Sequence, residues 1–238
     1  MGKYIHKFDT VSEFEAVYNG QNYIEPWVSY VTENQTVNYN KIADPANGYE
    51  YIDLGLPSGT LWAAKNIGAN TESDSGTRFA WGEISTKSNF TLNNYKYYNT
   101  NTSAYTKYNS TDGKTQLDLE DDAARAIMGG LWRMPTLSDW QELIQYSSHD
   151  SPFWFDIDSF DENSAVEFFN RNDQQSTSLI INVNYEYWLA DRNQNDTGKA
   201  LVAFFQEAVG DDMTAQFIAS NEDRSRYEGC YIRGVLKP

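Results

Sequence analysis

The alternation of apolar and polar positions changes character along the chain. Val11, Phe14, Val17 and Tyr18 recur at helical spacing, Thr10 and Glu13 make a capping box ahead of them, and Gly20 supplies a left-handed stop. A short helix is expected there, preceded by a strand over residues 4–8 and followed by strands at WVSYV (27–31) and VNYN (37–40) that flank the polar turn TENQT. ADPANG, residues 43–48, has the Pro, Asn and Gly of a linker. From Tyr49 the grammar shifts to short strands divided by turns: YEYIDL, GLPSG, TLWAAKNI and TRFAW. Residues 85–116 show no clear period and read as a long surface excursion, ordered by its tyrosines if by anything.

Helical spacing returns twice. Residues 119–128, begun by Asp118 and ended by Gly129, form one expected helix; residues 137–146, begun by Thr136 with Asp139 in the capping position, form the other. Between and across them runs GGLWRMPTLSDWQELI, residues 129–144. Its two glycines stop one helix, Trp132 and Met134 are expected to fill core, and Pro135 and Thr136 start the next helix, which buries Trp140, Leu143 and Ile144. Arg133 is expected to be structural, stacked on an indole or paired with a carboxylate. Strand patterns then resume in AVEFF, TSLIINV, EYWLA, ALVAFF, TAQFI and CYIRGVL, which gives an α+β class with no repeat of 20 to 50 residues.

Length and charge narrow the function classes. A chain of 238 residues suits one large domain, or one medium domain with an appendage. Residues 1–46 have too few apolar side chains to stand alone and are expected to be an attachment unit that docks on its own body or on another chain, with 47–238 as the main domain. The balance of 34 acidic to 18 basic residues, net −16, repels nucleic acid. No apolar run is long enough to span a membrane, the first ten residues lack a secretory core, and His6 does not suit myristoylation, so the expectation is a soluble protein made in a reducing compartment. One cysteine excludes an intrachain disulfide, and with only His6 and His149 beside it no structural zinc is expected.

Candidate chemistry is thin. SSHD, residues 147–150, resembles a serine triad only as a string, because triad members converge from separate segments; a polar helix C-terminus with His149 favouring the dipole is the preferred reading. LDLEDDAA, residues 117–124, offers oxygen ligands for calcium, but its spacing is not that of an EF-hand, and acids in a first helical turn need no metal. Cys230, in the last predicted strand, reads as a buried small hydrophobe. No catalytic residue and no cofactor are expected, with a structural calcium ion as the less favoured alternative.

The strings YIDLGLPSGTLWAAKNIGA, FAWGE, LDLEDDAARAIMGGLWRMPTLSDWQELI, YWLAD and YIRGV together resemble the Fibrobacter succinogenes major paralogous domain, in the formylglycine-generating-enzyme-like branch of the C-type lectin fold. The resemblance spans about residues 49–238 and is densest over 51–144. Later, the family's YWSS stands here as Tyr187, Trp188, Leu189, Ala190, and its V-R-P-V as Ile232, Arg233, Gly234, Val235. It implies a C-type-lectin-like domain of twisted antiparallel sheets and two helices under a face of loops. Formylglycine chemistry relies on a cysteine pair and does not carry over to a chain with one. The N-terminal KYIHKFDTVSEFEAVYNG and IEPWVSYV resemble leaders on structural proteins of Bacteroides phages.

These resemblances imply a non-enzymatic virion protein, a fibre or capsid decoration assembled in the host cytoplasm, expected to be a homo-oligomer. Its N-terminal unit, through Tyr4, Phe8, Phe14, Trp27 and Tyr30, would meet other virion proteins, and its head a host-surface glycan or protein. A bacterial cell-surface module of the same fold and a purely structural decoration protein are the alternatives. RNQND and SNEDRSRY have the composition of diversified ligand-facing loops in related proteins. Arg192, Asn193, Asn195, Asp196, Asn221, Asp223, Arg224, Arg226 and Tyr227 are therefore the candidate contacts, with the arginines as forked donors and Tyr227 as an aromatic face.

Overall fold

A computed structural model describes residues 41–43, 47–150, 165–170, 178–182, 185–207, 215–218 and 223–237. The helix and strands expected within residues 1–40, the five aromatic attachment candidates and Asn221 lie outside them. The described strands are β1 (Lys41–Ala43), β2 (Glu50–Ile52), β3 (Leu61–Ala63), β4 (Tyr98–Asn99), β5 (Ala104–Tyr105), β6 (Trp132–Arg133), β7 (Ser148–Asp150), β8 (Ala165–Phe169), β9 (Leu179–Asn182), β10 (Tyr187–Arg192), β11 (Lys199–Glu207), β12 (Ala215–Ile218), β13 (Asp223–Ser225) and β14 (Val235–Leu236). The described α-helices are α1 (Ala123–Met128) and α2 (Leu137–Tyr146). The architecture is α+β with antiparallel strand pairing, and no described helix is long and apolar enough to cross a membrane.

The central sheet runs in the order β1-β2-β3-β14-β6, so the last strand of the chain lies between one of the first and the start of the glycine-tryptophan string. Its period-two pattern serves two cores at once. Tyr51, Leu61 and Ala63 enter one cluster with Trp81, Trp132 and Trp188, while Ile52, Trp62 and Ala64 enter a second with Trp140, Leu143 and Tyr187. Both faces are thus buried, and each fully buried large side chain contributes about 1.5–3 kcal/mol relative to exposure. β1 pairs with β2 from Lys41↔Ile52 to Ala43↔Glu50, so Lys41 and Ile42, ahead of the ADPANG string, take part in the central sheet.

The string 129–144 folds as its residues dictate. Gly129 and Gly130 take φ values of 74° and 55°, a left-handed region open to glycine, and end α1. Thr136 and Asp139 form the capping box of α2, whose Trp140 meets Trp62 edge-on at 4.6 Å. Arg133 grips Asp139 through two bonds of 2.7 and 2.9 Å, the carboxylate pairing expected of it.

Other expectations are corrected. The single helix expected over 119–128 is a 3-10 turn, Leu119–Asp121, followed by α1 with Asp122 as its cap; Asp122 accepts from the amides of Arg125 and Met134, and this divides the helix in two. SSHD is not a helix end beyond Ser147, because residues 148–150 form β7 and pair with β8. TRFAW makes only an isolated bridge, Phe79↔Cys230, and is fixed instead by its neighbours: the Trp188 indole donates to the Phe79 carbonyl at 2.7 Å, and the Trp81 indole donates to the Leu189 carbonyl at 2.8 Å. CYIRGVL likewise shortens to β14, while Cys230 is buried as expected, its thiol pushed well above the ordinary range by burial and by Glu186.

Candidate functional site

The tyrosine-rich segment 85–116 is largely exposed, as expected of a surface excursion, and its tyrosines order it: Tyr95, Tyr97 and Tyr108 are buried, and β4 and β5 form a small hairpin beside them. Tyrosine suits this arrangement because a large apolar ring can be buried while its hydroxyl keeps a partner. The Tyr95 hydroxyl donates to the Trp81 carbonyl at 2.7 Å, and that of Tyr108 donates to Asp121 at 2.6 Å.

At the centre of these rings lies Arg226, fully buried. Its guanidinium carbon stands 4.5 Å from the centroid of Tyr105, 5.3 Å from those of Trp81 and Tyr95, and 5.9 Å from that of Tyr108. Its nitrogens donate to the carbonyls of Lys107, Tyr108 and Thr197 at 2.8–3.1 Å and to the Tyr95 hydroxyl at 3.1 Å. Tyr108 holds φ at 57°, which is rare for a bulky residue; its carbonyl is one of those that Arg226 grips, and Asp112 accepts from its amide. One side chain therefore ties together the excursion, the 193–198 loop and the end of β13.

Arg192 is likewise turned inward, at 5% exposure, donating through Nε to the Lys114 carbonyl at 3.0 Å and also to the Asn193 carbonyl. Burial and the positive charge of Arg226 push its pKa down. The expectation that Arg192 and Arg226 project as forked donors is thus corrected. Both are surrounded by backbone acceptors that must be satisfied once they leave water, so these arginines shape the loops from beneath.

The remaining candidates do share one end of the sheet. Asn193 accepts from the amides of Asn195 and Asp196 at 2.7 and 2.9 Å and donates to Asp223; Asp196 accepts from the Gly198 amide at 2.8 Å. Lys199 pairs with Asp223 at 2.8 Å, and Arg224 pairs with Glu186. Asn195 and Asp196 are exposed; Asn193, Asp223, Arg224 and Tyr227 are half-buried. What reaches solvent is therefore a short, preformed rim of amide, carboxylate and guanidinium groups.

The acidic string holds a lysine. Asp118, Glu120 and Asp121 bring their carboxylate oxygens within 4.8 Å of one another, and the Lys107 ammonium contacts all three at 2.6, 2.9 and 2.6 Å. Burial opposes the lysine's charge, yet the hydrogen bonds to Asp118, Asp121 and Glu120 prevail and raise its pKa well above the ordinary value. A metal ion at this point would have to displace that ammonium. The Lys107 contacts tie the excursion to the 3-10 turn.

No family profile, curated protein or solved structure matches the chain. Sequence reasoning missed Trp81, Tyr95, Tyr105 and Tyr108 as the cage beneath the loops. The available signal was the density of tyrosine in a segment otherwise built of Asn, Thr and Ser.

Proposed function

We propose that the protein is a non-enzymatic phage virion component, in which residues preceding β1 attach to the particle and a C-type-lectin-like head presents the 193–198 and 223–227 loops to a host-surface glycan or protein. The observation that carries this reading is the Arg226 knot. Loops that are ordered before contact lose little further entropy on binding, and here a buried cation fixes them from below while Asn195 and Asp196 stay exposed. The resemblance of the leader to phage structural proteins and of the body to a lectin-like scaffold points the same way.

The test has two arms. A chain lacking residues 1–40, which retains β1, is expected to fold and to be missing from purified particles; incorporation at full occupancy would remove the attachment role. Particles carrying Asn195→Ala, Asp196→Ala and Arg224→Ala together are expected to adsorb to host cells about tenfold less well, a loss on the scale of one or two polar contacts. Arg226 is left intact because its removal would disturb the fold. Undiminished adsorption would make the protein decoration.

A further inference from the structure

We propose that the buried polar centre beneath residues 66–76 binds one internal water molecule, held by Arg233, Asn66 and Asn182, and that this water joins the loop to the strands below it.

Arg233 is fully buried just ahead of β14 and is compensated by carbonyls. Its Nη1 donates to those of Ala63 and Ala64 at 3.1 and 2.6 Å, and its Nη2 to that of Ile180 at 2.7 Å. Its Nε–H has no partner among the described residues. The backbone keeps Asn66 close by, since the Ile67 amide donates to the Ile232 carbonyl at 3.0 Å. The bond to Ile180 carries the guanidinium to β9, whose last residue is Asn182.

Both asparagines spend their amide hydrogens on the loop. Asn182 donates to the Ser73 carbonyl at 3.0 Å, and Asn66 to those of Asp74 and Ser75 at 3.2 and 3.1 Å. Turning either amide over to serve its oxygen would give up these bonds. The two side-chain oxygens, in residues 3% and 0% exposed, have no partner among the described residues. Tyr187 brings the groups together: its hydroxyl accepts from the Asn182 backbone amide at 3.3 Å and is bordered by the side chains of Asn66 and Arg233. Burial raises the pKa of that hydroxyl, so it keeps its proton.

The unmatched atoms select the ligand. One N–H donor and two amide oxygens are costly to bury without partners. A water molecule accepts from the Arg233 Nε–H and donates to both oxygens, and such bonding, about three contacts to buried polar groups, is typical of internal water. A halide would be drawn to the guanidinium but would face two carbonyl-type oxygens. A metal ion would suit the oxygens and be repelled by Arg233. Only a ligand that both gives and takes hydrogen bonds fits the whole set.

The full chain should be studied by rotating-frame water–protein cross-relaxation and by crystallography of bromide-soaked crystals. The Arg233 Nε proton is expected to show a water cross-peak with the sign of a dipolar contact rather than of exchange, and the peak should persist in Tyr187→Phe, which removes any relay through the hydroxyl. Density about 2.7–3.2 Å from Nε and from both asparagine oxygens, without bromide signal, is the expected crystallographic result. The proposal is overturned if the cross-peak is missing, has the sign of exchange or vanishes in Tyr187→Phe. It is equally overturned if Nε bonds directly to either asparagine oxygen, or if the density carries bromide signal.

Discussion

Residues 129–144 and residues 85–116 reach comparable order by opposite routes. In the first, the caps and the charge pairing are near in sequence, although Trp140 packs on Trp62 and β6 pairs with β14: Thr136 caps its own helix, Gly129 ends the preceding one, and Arg133 finds Asp139 six residues on. In the second, the buried tyrosines surround a cation that lies 118 to 131 residues further along the chain. The charges are handled differently too. Arg133 has a carboxylate held in a bidentate grip, whereas Arg226 is compensated by carbonyl oxygens, a hydroxyl and the faces of four rings. A locally coded unit can assemble early, while the tyrosine knot must wait for closure of a loop more than a hundred residues long.

The hardest blow to the local unit is to its indoles. Trp132 and Trp140 are both fully buried, so Trp132→Ala and Trp140→Ala are each expected to lower stability by about 3–5 kcal/mol in denaturant or thermal unfolding. Unchanged melting in both variants would mean that the string does not anchor the cores as described.

Next in size is the distant knot. Arg226→Met removes donors from one buried and two part-buried carbonyls and is expected to cost about 2–3 kcal/mol, since an unmatched acceptor is expensive while the apolar replacement still fills space. The effect should be regional. In hydrogen exchange the amides of Thr106, Leu117 and Lys199, bonded to Tyr97, Ala190 and Asp196, should lose protection, while those of Trp140 and Ser147 in and after α2 keep theirs. Equal loss in both places would break the contrast between the two regions.

That contrast also explains what could be read in the sequence. Both helix ends of α2, the two glycines, the pairing of Arg133 and the burial of Cys230 followed from residues a few positions apart, where capping and periodicity act. The depth of Tyr95, Tyr97 and Tyr108 did not, because burial there depends on partners supplied by residues 189–198 and 226. The same holds for the candidate contacts. Arg192 and Arg226 looked like surface donors in polar strings, and only the carbonyls of Lys107, Lys114 and Thr197, silent in a sequence, turn them inward.

The smallest effect is the most specific, because it depends on pH. Burial alone would raise the carboxyl of Asp139, but the bidentate bond from Arg133 and those from Thr136 outweigh it, and the net shift is downward. A carboxyl whose folded pKa lies below its unfolded value of about 3.9 stabilises fully above that value and loses its contribution as pH falls through the folded pKa. Asp139→Asn keeps an acceptor for the helix cap but gives up the charge-assisted pair, so at pH 7 it is expected to cost about 1–2 kcal/mol. As pH falls below about 3.9 the unfolded carboxyl is protonated first, and the gap between the two proteins should narrow progressively until pH has passed the depressed folded pKa. Asp122 supplies the internal control, because burial prevails there and raises its carboxyl, so the folded state holds that proton more tightly and its charge disfavours folding as pH rises. Measured by urea unfolding from pH 7 to pH 2.5, a difference that stays constant would show that the Arg133–Asp139 contact stabilises by shape alone. The local unit would then have no electrostatic lock to set against the knot around Arg226.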